Sequence, residues 1–157
     1  MNLEEKIQLA FRDRVKPNVL ATSTSLFSNE VEEIEAFTSK YWFDISCDDD
    51  QIAWGVISHF SGEAFCYFLP GFMLAGIRSN TRNLLVFNHI IGELDRSPNI
   101  EYWDSHFVSR WPLLTFDEII AVQEWLLWYA QSVHDPWGNT YDRCFDTLEL
   151  LKNSVNQ

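Results

Sequence analysis

Cysteine is scarce in this chain of 157 residues: only Cys47, Cys66 and Cys144 occur, odd in number and far apart. That pattern argues against a disulfide framework, and no Cys-x-x-Cys or Cys/His spacing is present to hold a structural zinc. Basic residues are few as well, with 11 Lys and Arg against 23 Asp and Glu and a net charge of −12. A field of that sign repels phosphate backbones and anionic bilayers, so neither nucleic acid nor a membrane is an expected partner. Long apolar runs are also missing. No window of roughly 18 residues is apolar enough to cross a bilayer. The opening Met1-Asn2-Leu3-Glu4-Glu5-Lys6 lacks the basic-then-apolar order of a secretory leader. The expected setting is a reducing cytoplasm.

The motifs of common chemistries are absent too. The six glycines form no phosphate-cradling loop, and there is no G-x-S-x-G elbow and no H-E-x-x-H pair. Asp48-Asp49-Asp50 lacks the alternating oxygen ligands, the turn glycine and the terminal glutamate of an EF-hand. It reads as the solvated start of a helix, where negative charge suits the helix dipole. His59, His89, His106 and His134 are dispersed without a ligand or base motif around them. No catalytic residue, metal ligand or cofactor site is expected. Cys66 lies among aromatic residues and reads as inert core. Cys47 stands beside three aspartates that disfavour its thiolate, the reverse of what a nucleophile needs.

What the chain does have is rings: 12 Phe, 7 Trp and 5 Tyr. Four of them fall within nine residues, Ala64-Phe65-Cys66-Tyr67-Phe68-Leu69-Pro70-Gly71-Phe72. Such rings bury much apolar surface but transfer no proton at neutral pH. A chain of this length folds as one domain, residues 1–157, and hides roughly 70% of its unfolded surface. Some of the rings are left over for a groove or an interface.

Periodicity predicts an all-α domain, a compact bundle of six to seven helices, with a small β element as the alternative for part of it. Leu3, Ile7, Ala10 and Phe11 share one face of a first helix, ended by Pro17. Asn29 with Glu32 resembles a capping box for a short second helix carrying Val31, Ile34 and Phe37. Residues 51–60 fit either a helix beginning near Asp50 or a buried extended piece. Ser61 caps the aromatic helix, Pro70 should kink or divide it, and Gly71, Ala75 and Gly76 offer a face for close approach. Leu84, Phe87, Ile91 and Leu94 give the next helix. Ser97 and Pro98 then start a short one with Ile100, Trp103 and Phe107, closed by Pro112.

Thr115 with Glu118 is the best capping box in the sequence. It opens a helix to about Ser132 in which Phe116, Ile119, Ile120, Trp125, Leu126 and Leu127 cover most of the circumference, as in a central helix. Its outer stripe is Asp117, Ala121, Glu124, Trp128 and Gln131, and Gln123 within the apolar face needs a hydrogen-bond partner. After the Asp135-Pro136-Trp137-Gly138 turn, Asn139 with Asp142 caps a last helix striped with Tyr141, Cys144, Phe145, Leu148, Leu151 and Val155.

Three sets of landmarks carry a resemblance: Phe37 to Trp42; Glu63 to Pro70 leading into Phe72-Met73-Leu74-Ala75; and Leu114-Thr115 leading to Gln123 and Leu126-Leu127. Together they resemble a bacterial cytoplasmic domain family marked by an aromatic Tyr-Phe-Leu-Pro motif. The resemblance spans most of the chain and brings no activity or catalytic residue with it; Ser97 to Pro112 departs most from the pattern. In general character the chain also resembles immunity proteins of polymorphic toxin systems. That analogy implies a basic protein partner, met by acidic charge that aids encounter and buried rings that slow dissociation.

The resulting expectation is a non-catalytic protein-binding domain with Trp103, Trp111, Trp128 and Trp137 as anchors and Glu124 among its carboxylates. Two alternatives stand beside it. One is a small hydrolase or metal-dependent enzyme using His106, Asp104 and His134; the other is a homo-oligomeric scaffold.

Overall fold

From Ala64 to Gly76 the chain has no charged residue, so nothing obliges that stretch to keep one face in water. In the computed structural model every residue of it is buried, at the centre of helix α3 (Gly62–Arg78). Residues 1–21, 27–48 and 55–155 are described. Among them all regular structure is helical, with α1 (Leu3–Phe11), α2 (Ser28–Ala36), α3, α4 (Leu85–Leu94), α5 (Ser105–Val108), α6 (Phe116–Ala130) and α7 (Thr140–Val155). Short 3-10 turns lie at Trp42–Asp44, Gly55–His59, Ile100–Tyr102 and Trp111–Leu113. The chain is all-α.

The central helix is therefore α3 rather than α6, which keeps Asp117, Glu118 and Glu124 along its length. Helix α3 also runs unbroken through Pro70 instead of dividing there. The proline removes one N–H from the ladder, and the packing on all sides holds the helix across the gap. Helix α1 packs on α3 and α6, α7 on α6 and α4, and the 3-10 turns at 42–44 and 111–113 on α3.

Local chemistry explains most helix starts. Asn2 and Glu5 exchange backbone and side-chain bonds at α1 (2.8 and 3.0 Å), Ser61 Oγ accepts from Ala64 N at α3, and Thr115 with Glu118 boxes α6. Some expectations shift. Helix α1 ends at Phe11, well before Pro17. At α2 it is Glu30 that accepts from Phe27 N, at 2.7 Å, so Asn29 lies inside the first turn. Ser97 starts no α-helix: Asn99 caps the 3-10 turn at 100–102, and Asp104 caps the separate α5 by accepting from Phe107 N at 2.9 Å. Pro112 sits inside a 3-10 turn. The helix expected near Asp50 falls partly on residues 49–54, outside the described residues; from Gly55 the chain is a 3-10 turn with Val56 and Ile57 buried. Asp49 and Asp50 lie outside them too.

One continuous hydrophobic cluster joins the elements. Phe37 meets Phe60, Phe68 and Phe72 edge-on at centroid distances of 5.3, 5.1 and 6.0 Å. The expected small-residue face is used for close approach. Gly71 lies under the Trp42 carbonyl, and Gly76 lies against the Phe87 ring of α4. Arg110 is buried, donating to the carbonyls of Ile57 (2.7 Å) and Phe60 (2.6 Å) and lying 3.3 Å from Glu93. It ties the 55–60 turn to α4.

Candidate functional site

The histidines are held on separate elements. His59 lies 3.9 Å from Glu30 and His106 3.5 Å from Glu93, while His89 packs against Gly55 and His134 is exposed. Asp104 is engaged by Arg96 at 2.7 Å and by the α5 cap. That cap, with Arg96 also near, holds its carboxyl below the ordinary range. Among the described residues no group of three or more His, Cys, Asp and Glu is placed to hold a metal ion. Burial pushes the Cys66 and Cys144 thiols up to about 12, so both remain protonated at neutral pH.

The four tryptophans singled out in the sequence have different fates. Trp111 is 0% exposed, stacked on Phe107 and tilted against Phe65, with its indole N–H donated to Glu93 at 2.8 Å. It cannot touch a partner and belongs to the core. Trp103 is half-buried against Phe107 and donates to the Ser97 carbonyl at 2.9 Å. Trp128 is half-buried too, and the Arg82 guanidinium lies 3.8 Å from its ring centroid while bonding its carbonyl at 3.0 Å. That ring face is covered from within the chain. Trp137 is 79% exposed.

Trp137 sits on a fixed turn. One Asp135 oxygen accepts from Trp137 N at 3.1 Å and the other from Thr140 N (2.6 Å) and Tyr141 N (3.3 Å). Asp135 therefore supplies the α7 cap expected of Asn139, whose side chain instead accepts from Arg143. Other exposed rings had no distinguishing pattern in the sequence: Tyr102, Phe27, and Tyr41 stacked on Phe43 at 5.3 Å.

Two grooves border α6. The larger, of about 840 Å³, lies between α1 and α6. Two ion pairs cross it: Lys6 meets Glu124 at 2.8 Å, and Arg14 grips both Glu118 oxygens at 2.8 and 2.7 Å. Glu124 is thus already paired within the chain.

The smaller groove, of about 530 Å³, lies between α6 and α7. Leu126, Leu127 and Ala130 face Tyr141 and Phe145 across it, with Asp142 and Asp146 beside them. Leu127, expected in the core, is 54% exposed. Burial, with Tyr129 and Asp135 nearby, holds the Tyr141 phenol up at about 12, so this wall is uncharged at neutral pH. The Asp142 and Asp146 carboxylates make no hydrogen bond or ion pair with the other described residues. Gln123, as expected, finds a partner: it donates to Glu149 at 2.7 Å.

No helix among the described residues is long and apolar enough to cross a membrane. In comparison with known proteins, no family model, no curated protein and no solved structure matches the chain.

Proposed function

We propose that this protein is a non-catalytic binding domain of the cytoplasm that engages a basic protein partner, in the manner of an immunity protein. The observation that carries this reading is the exposed Trp137 indole, held on a turn that Asp135 has already ordered. A large ring in water on an ordered stretch of backbone suits an interface anchor, because the turn itself has little backbone freedom left to lose on contact. The turn leads directly into α7, where the Asp142 and Asp146 side chains have no partner among the described residues. The net charge of −12 adds long-range attraction for a cationic surface and speeds encounter.

The test is capture on the immobilised full chain, followed by kinetics with the purified captured polypeptide. A basic partner should associate at least tenfold more slowly at ~0.5 M salt than at ~20 mM, since screening shortens the field to a few ångströms. Trp137→Ala should speed dissociation roughly 30-fold, the scale of an interface hot spot, while leaving thermal unfolding in place. An association rate unmoved by salt together with an unchanged dissociation rate for Trp137→Ala would overturn the reading.

A further inference from the structure

We infer that the groove between α6 and α7 is the seat of a basic amphipathic helix supplied by the partner; this rests on the binding-domain reading above and names the shape and chemistry of what it binds. The two helices form an antiparallel pair. Gln123 reaches Glu149, and the Tyr129 ring meets Tyr141 at 5.7 Å, so residue numbers fall on one helix as they rise on the other. Between two such helices a third packs ridge into groove, whereas an extended strand would find no free sheet edge among the described residues. The groove runs from Leu126 to Ala130 on one side and Tyr141 to Asp146 on the other. At a rise of ~1.5 Å per residue those walls are about 6–8 Å long, enough for the apolar positions of a little over one helical turn.

Charge selects the occupant. Asp142 and Asp146 are four residues apart on α7, on one stripe and about 6 Å apart along the axis at a rise of ~1.5 Å per residue. Two cations spaced i and i+4 on a docked helix repeat that interval. Like charges at this spacing repel, and neither side chain has a partner among the described residues, so bound cations would relieve a standing repulsion. The same feature disfavours other occupants. A second copy would bring its own net charge of −12 against the aspartates. An anionic bilayer would meet them with charge of the same sign.

The test uses the full chain and two 18-residue synthetic peptides of equal composition, rich in Leu and Lys. One places Leu at helical i, i+3, i+4 and i+7 spacing with Lys flanking; the other scrambles the order. In an amide NMR titration the periodic peptide should shift Leu127, Tyr141, Asp142 and Phe145, and bind at least tenfold more tightly than the scrambled one. Asp142→Lys with Asp146→Lys should weaken that binding at least tenfold, and so should Leu127→Lys. All three side chains face solvent at least in part, and their variants should melt as the parent does. Equal, salt-sensitive binding of both peptides, or shifts elsewhere, would overturn the helix seat and leave the basic-partner reading standing. No salt-sensitive binding of either would sink both. Concentration-dependent shifts of the groove residues without peptide would give it to a second copy, and their loss on phosphatidylglycerol vesicles to a membrane, overturning the proposal in either case.

Discussion

Alanine placed at two helical glycines should move stability in opposite directions. At Gly71 an added Cβ would lie 2.5 Å from the Trp42 carbonyl oxygen and 2.7 Å from Ile45 Cδ1. Ordinary contact begins near 3.4 Å, so the shortfall is about 0.9 Å, and the nearest obstacle is backbone, which cannot rotate away as a side-chain tip does. Either α3 or the 42–45 segment must retreat, opening contacts among buried residues. Overpacking of this kind costs about 1–3 kcal/mol, and a backbone obstacle places it near the upper figure. Helix propensity returns about 1 kcal/mol for Ala over Gly, so the net loss is ~2 kcal/mol. At Gly92, in α4, a Cβ would meet nothing within 4 Å, and only the gain of about 1 kcal/mol applies.

For a chain of this size 1 kcal/mol moves Tm by roughly 2–4 °C. Gly71→Ala should therefore lower Tm by ~4–8 °C and Gly92→Ala raise it by ~2–4 °C. Scanning calorimetry and urea unfolding of the parent and both variants measure the pair under one set of conditions. A Gly71→Ala protein as stable as the parent would refute the close approach of the 42–45 segment to α3, and with it the reason a small-residue face exists there.

Two further predictions concern buried groups. Arg110→Met should cost about 3–5 kcal/mol, because it leaves Glu93 short of a counter-charge and two buried carbonyls, of Ile57 and Phe60, without their donor; urea unfolding reads this, and a change under ~1 kcal/mol would mean that the arginine is not the tie between the 55–60 turn and α4. A thiol reagent at pH 8 should label one cysteine, Cys47, in the folded protein and all three in denaturant, since Cys66 and Cys144 are buried with thiols near 12. Rapid native labelling of Cys144, found by peptide mapping, would contradict the packing of α7 on α4.

How much of this was legible in the sequence followed from the range of the interaction concerned. The Thr115–Glu118 box and the Ser61 cap act across three residues and were readable. So was the need of Gln123 for a partner, although not that the partner would be Glu149. The α7 cap was missed because Asp135 stands five residues ahead of Thr140, across a turn whose path no local pattern discloses. Trp111 read as an anchor because the acceptor for its N–H, Glu93, is 18 residues away on another helix. Leu127 read as core for the same kind of reason. An apolar stripe shows which residues prefer burial, but only the docking of α7 decides that Leu126 is covered and Leu127 is left in the groove.

Composition makes unpaired carboxylates unavoidable, since acidic residues exceed basic ones by 12. It does not decide where they lie, and that placement links the charge to binding. Arg14, Lys6, Arg78, Arg96 and Lys152 are each committed to a glutamate or aspartate away from the α6–α7 groove. The one cation well placed in sequence to neutralise the groove is Arg143, next to Asp142 and three residues before Asp146. One residue along a helix is a rotation of about 100°, so Arg143 leaves the stripe that its neighbours occupy. It turns instead to Asp95, which it grips at 2.6 and 3.1 Å. That single commitment packs α7 against the end of α4 and at the same time leaves the groove acidic. Removing the counter-ion with Asp95→Asn would free Arg143 without adding charge to the groove. If Arg143 then swings toward Asp142 and Asp146, the periodic basic peptide should bind more weakly although no groove residue has changed. If its binding is unaffected, Arg143 stays on its own face of α7 by helix geometry alone, and Asp95 serves stability only.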